Sequence, residues 1–107
     1  MSTKLKEQWC FIQLFIETST PQRLALIKSI SVIQLNLLCE ILLNVLKGTL
    51  YLPSEEVKKL SRHQSFLRRF TSKETSLKRK KQDLKSHYKV VLYILEKVRP
   101  LLDTLRT

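Results

Sequence analysis

The sequence predicts an all-α protein: a small bundle of about four to five helices with a long basic helix at its C-terminal end. Three observations carry this. One glycine and three prolines in 107 residues leave little material for the turns that a set of short strands needs. Hydrophobic residues make up 43% of the chain, enough for one modest core and too many for a disordered tail. The apolar residues recur at spacings of three and four, the period of a helix face. At this length one domain is expected over 1–107, with an apolar helical half at 1–48 and a basic helical half at 49–107.

The first helix is expected from about Leu5 to Ile16, where Leu5, Trp9, Ile12 and Ile16 share a face and Phe11 and Phe15 widen it. Thr20 reads as the N-cap of a second helix with Pro21 at its first position, where a missing N–H is harmless. Ser31 and Gln34 have the spacing of a capping box. They open the strongest helix, whose apolar face is Leu35, Leu38, Leu42, Val45 and Leu46, and Gly48 stands where a helix-ending glycine belongs. Asn36, Glu40 and Asn44 lie four apart on that helix. They form either its wet side or a polar stripe paired across a dimer or against a basic residue.

Thr49 to Pro53 reads as an extended connector. Ser54 is expected to cap the next helix, with Glu55 and Glu56 in the first turn, where carboxylates suit the helix dipole. Val57, Leu60, Leu67 and Phe70 give that helix a sparse apolar face. After a polar break at Thr71 to Thr75, Ser76 starts a long helix towards Arg99. Leu77, Leu84, Val91 and Val98 recur every seven residues along it as a coiled-coil-like seam. Pro100 is expected to end or kink it, leaving a short apolar tail with Leu101, Leu102 and Leu105.

Charge is the strongest functional signal. Twenty Lys and Arg against nine Asp and Glu give a net +11. It is localised: residues 51–90 hold twelve basic and four acidic side chains, a net +8. A balance of this kind speaks to polyanionic partners. Three clusters stand out: Lys58-Lys59 with Arg62, Arg68-Arg69, and Lys78-Arg79-Lys80-Lys81 with Lys85 and Lys89. Lys78, Lys81, Lys85 and Lys89 follow helical spacing and would form a stripe about 16 Å long, enough to meet several phosphates. A solvated helix face is the bland reading of the run. A bipartite nuclear-import signal is another, with Arg68-Arg69 and Lys78 to Lys81 as its halves.

Other chemistries find little support. Cys10, Cys39, His63 and His87 lack paired metal-ligand spacing. One glycine permits no glycine-rich phosphate loop, and no nucleophile or acid–base pair stands out, so neither an enzyme, a cofactor nor a small-molecule substrate is expected. The cysteines, set in apolar helical stretches, read as buried free thiols of a reducing compartment. The N-terminal residues carry no apolar leader, and the apolar run Ile30 to Leu46 is interrupted by polar residues, so neither secretion nor a membrane span is expected.

From Asn44 onward the chain resembles a family of short basic proteins encoded by Polinton/Maverick-type elements and the related adintoviruses and adomaviruses. The resemblance rests on Asn44-Val-Leu-Lys-Gly48, Lys58-Lys-Leu-Ser-Arg-His63, Leu67-Arg-Arg-Phe70 and Ser76-Leu-Lys-Arg-Lys-Lys81, in that order. It implies a core or minor virion component that accompanies capsid proteins. The glycine-rich apolar tail of that family is missing here, although Pro100-Leu-Leu keeps part of its ending.

The expectation is therefore a non-enzymatic protein that binds and condenses nucleic acid, with DNA favoured and no sequence preference. It would act in a nucleus or a virion interior, as a homodimer or higher oligomer through the helix at Ser31 to Leu46 or the seam at Leu77 to Val98. Lys58, Lys59, Arg62, Arg68, Arg69, Lys78, Arg79, Lys80, Lys81 and Lys85 would supply the phosphate contacts. The alternative is a virion protein that docks on an anionic membrane or a capsid wall through Val90 to Leu102.

Overall fold

The computed structural model describes residues 1–106. The fold is all-α, as expected, but with more and shorter helices than the apolar pattern suggests: α1 (Ser2–Glu7), α2 (Trp9–Glu17), α3 (Thr20–Lys28), α4 (Val32–Leu46), α5 (Ser54–Lys59), a 3-10 turn (Ser61–His63), α6 (Gln64–Thr71) and α7 (Leu77–Arg106). The single helix expected over Leu5 to Ile16 breaks at Gln8, whose backbone leaves the helical region (φ −105°, ψ 18°). The helix expected from Ser54 to Phe70 breaks likewise at the 3-10 turn, which re-aims α6.

The caps show how locally the chain is instructed. α4 opens on the expected box: Ser31 Oγ accepts from Gln34 N–H at 3.1 Å, and Ser31 N–H donates to the Gln34 side chain at 3.0 Å. It ends at Gly48, the one residue with positive φ (80°) among those described. The cap of α3 is Ser19 rather than Thr20, with Gln22 closing the box. Likewise Pro53, not Ser54, precedes α5. In both cases the chain enters the helix one residue earlier than the composition suggests.

The far end of α2 is closed by a distant side chain. Arg23, only 5% exposed, donates to the carbonyl oxygens of Phe15, Ile16 and Thr18. Those carbonyls belong to the last turn of α2 and its exit, where no helical N–H is left to pair them. A guanidinium can satisfy all three because its donors fan out in one plane.

α7 is the axis of the molecule, packing against α1, α2, α3, α4 and α6. Its buried residues include Leu84, Val91, Ile94, Leu95, Val98 and Leu102, and they meet Phe15, Leu38, Ile41, Leu42, Phe66 and Phe70 in one core. Most of the expected seam faces this core: Leu84, Val91 and Val98 are buried, and only Leu77 is exposed. The chain's own helices therefore occupy the surface a partner helix would need. Part of the polar stripe of α4 is also used internally, while Asn36 is exposed. Glu40 lies 3.5 Å from the N-terminal ammonium and 3.8 Å from Lys4 Nζ, while Asn44 donates to the Glu40 carbonyl.

The bend in α7 is not at Pro100. The helix continues through it to Arg106, and the non-helical residue is His87 (φ −124°, ψ 24°). There the imidazole Nδ1–H donates to the Asp83 carbonyl at 3.0 Å, and the ring stacks on Phe66 with centroids 4.4 Å apart. Pro100 lacks the N–H that would pair with the Glu96 carbonyl, and both residues are exposed. Cys39 is buried as expected; Cys10 is exposed.

Candidate nucleic-acid interface

The basic side of the molecule is built on the first half of α7. Ser76 Oγ accepts from Arg79 N–H at 3.2 Å and starts the helix. From there Lys78, Lys81, Lys85 and Lys89 follow the three- and four-residue period, flanking the core positions Leu84, Val91 and Val98. Lys78, Lys85 and Lys89 are exposed and Lys81 half-buried. The bend at His87 falls between Lys85 and Lys89, so the stripe turns at its far end.

Lys80 does not belong to this stripe, and the expectation that it contacts phosphate is corrected. It is 7% exposed. Three residues after Leu77 and four before Leu84, it occupies the second apolar position of the heptad, which points into the core. Its ammonium reaches the buried thiol of Cys39. Burial pushes that thiol up to about 11, with Lys80 pulling the other way.

Two more of the expected contacts are already engaged. Arg69 on α6 and Arg79 on α7 converge on Asp83, each with its Nε 3.3 Å from a different carboxylate oxygen. The Asp83 side chain is 8% exposed, whereas those of Arg69 and Arg79 are 40% and 56% exposed. This bridge ties α6 to α7 and partly neutralises the two arginines. Lys59 is also paired, 3.7 Å from Glu56, which Lys97 approaches from α7 at 3.9 Å.

Lys58, Arg62, Arg68, Lys78, Lys81 and Lys85 have no carboxylate at ion-pair distance among the described residues. Lys89 has none either. The folded chain brings some of these cations together across elements. Lys59 from α5, Arg62 and His63 from the 3-10 turn, and Lys89 and Tyr93 from α7 line one groove. Lys58 points into a different one, between α4 and α6, beside Val45, Leu46 and Leu67. Arg68 is exposed on α6.

Sequence reasoning missed this groove because its two halves, Lys59 to His63 and Lys89 to Tyr93, are distant from each other in the chain. The register of the seam does carry the inward turn of Lys80. Among the described residues no three His, Cys, Asp or Glu side chains come together, and no single helix is long and apolar enough to cross a membrane.

No family model, no curated protein and no solved structure matches this chain.

Proposed function

We propose that the chain binds the phosphate backbone of nucleic acid without reading its sequence, through the α7 stripe and Arg62, which meets it from the 3-10 turn. The observation that carries this is the set of unpaired cations. Of the ten expected contacts, Lys80 is buried and Lys59, Arg69 and Arg79 hold ion pairs, which leaves six free. Unpaired like charges along one helix of a small domain repel one another, and a polyanion relieves that repulsion while releasing its own counterions. Packaging of DNA in a virion interior, the setting the family resemblance implies, or in a nucleus, to which the bipartite run of bases points, is what this reading suggests. Docking on a bilayer through Val90 to Leu102 is less favoured, because Val90, Val91, Ile94, Leu95, Val98 and Leu102 are all buried in the chain's own core.

The test is a salt titration. If about six cations engage duplex phosphates, the logarithm of affinity falls against the logarithm of salt concentration with a slope near −5. Anisotropy of a labelled duplex, measured across a range of salt, gives the slope directly. A slope near zero, or binding that survives Lys78→Gln, Lys81→Gln and Lys85→Gln together, overturns the proposal.

A further inference from the structure

The groove shared by α5, the 3-10 turn and α7 differs from the rest of the basic surface in having an apolar floor. It measures about 430 Å³ and is lined by Lys59, Leu60, Arg62, His63, Lys89, Val90 and Tyr93. Leu60 and Val90 are buried at 6% and 8% exposure and form the floor. Arg62 and Lys89 stand at the rim, exposed and without an acidic partner among the described residues. The one nearby carboxylate, Glu56, is held by Lys59 and Lys97. Lys97 also sits 5.5 Å from the centre of the Tyr93 ring. The Tyr93 hydroxyl is buried with no hydrogen-bond partner, an arrangement that carries a desolvation penalty and that polar groups in folded proteins mostly avoid.

A duplex backbone has no use for such a floor. It offers phosphates and sugars, while its bases stay stacked inside. An unstacked nucleotide offers both halves at once: a phosphate for Arg62 and Lys89, and a flat ring for the surface made by Leu60, Val90 and Tyr93, with the His63 imidazole able to hydrogen-bond its edge. Base–aromatic stacking over a cationic groove is the general device of single-strand binding. The volume falls within the range of pockets that hold small ligands.

We infer that this groove takes one nucleotide unit, phosphate and unstacked base together, so that the chain holds single strands here in a way it cannot hold duplex. The inference rests on the polyanion reading and adds the ligand unit and the site.

The experiment compares single-stranded and duplex oligonucleotides of equal length in anisotropy titrations. The proteins are the wild type, Tyr93→Leu, and the surface variant Arg62→Gln/Lys89→Gln. A parallel NMR titration uses adenosine monophosphate and, separately, inorganic phosphate. Tyr93→Leu is expected to weaken single-strand binding on the order of tenfold and to leave duplex binding unchanged. Adenosine monophosphate is expected to shift the His63, Val90 and Tyr93 resonances saturably, and inorganic phosphate to shift them far less. Equal effects of Tyr93→Leu on both strand types, or equal shifts with both small anions, overturn the inference and leave the general reading standing. If Tyr93→Leu does not fold, the surface variant decides: a larger loss for single strands than for duplex supports the site, and equal losses refute it. If the wild type binds neither strand type, the polyanion reading fails. The inference, which has single strands held in this groove, fails with it.

Discussion

Replacing Asp83 with asparagine should move stability and nucleic-acid affinity in opposite directions. The carboxylate is the buried member of a bridge whose other two members face solvent. Removing one partner of a fully buried pair is severe because a charge is stranded. Here the stranded groups would be Arg69 and Arg79, which are 40% and 56% exposed and can turn into water. The loss therefore belongs at the low end, about 1–2 kcal/mol. For a domain of this size that lowers the melting temperature by roughly 4–15 °C. The same change frees Arg69 and Arg79 from their shared carboxylate. Each one that engages a phosphate steepens the salt slope by about 0.9, so the slope should steepen by about 1–2. Calorimetry reads the first effect. Duplex anisotropy across salt concentrations, at a temperature where both proteins are folded, reads the second. Glu74→Gln changes net charge equally at an exposed loop position and serves as the control. A folded Asp83→Asn variant whose slope is no steeper than the control refutes the claim that Asp83 holds the two arginines out of use. An unchanged melting temperature refutes the bridge between α6 and α7.

Three other outcomes follow from the same geometry. Lys80→Met should raise the melting temperature, since a buried ammonium gives way to an apolar chain of similar length, and should leave the salt slope untouched; Lys85→Gln should make the slope shallower by about 0.9, and equal effects of the two would contradict the assignment of Lys80 to the core. Arg23→Met should destabilise the fold by about 3 kcal/mol because three carbonyls at the end of α2 lose their donor, a loss that denaturant unfolding measures directly and that a change below about 1 kcal/mol would refute. Iodoacetamide at pH 8 should label exposed Cys10 and spare Cys39, whose thiol burial keeps protonated, so intact mass should show one adduct on the native protein and two after denaturation; prompt double labelling of the native protein would contradict this.

The parts of the fold that could be read from sequence are those fixed by neighbouring residues. Ser31, Gln34 and Gly48 delimit α4 because a cap and a left-handed terminator act within one turn. The core residues Leu67 and Phe70 are recognisable from helical spacing. The breaks at Gln8 and at Ser61–His63 were not, since both segments keep a helical composition and tertiary packing decides where they turn. Lys80 shows the limit of reading charge by count. In Lys78-Arg79-Lys80-Lys81 all four residues look alike, yet a helix must send one of them inward, and the position of Leu77 and Leu84 chooses Lys80. The candidate site follows the same rule: the α7 stripe is local and was visible, whereas the groove needs Arg62 and Tyr93, 31 positions apart, to meet.

Because the last helix touches nearly every other one, the nascent chain has nowhere to hide its apolar side chains until that helix leaves the ribosome. Phe15, Leu38 and Leu42 would wait, uncovered, for Val91, Ile94 and Val98. Folding should therefore be a late, concerted event rather than a growth from the N-terminus, and a chain halted before Ser76 should be a substrate for chaperones and proteases.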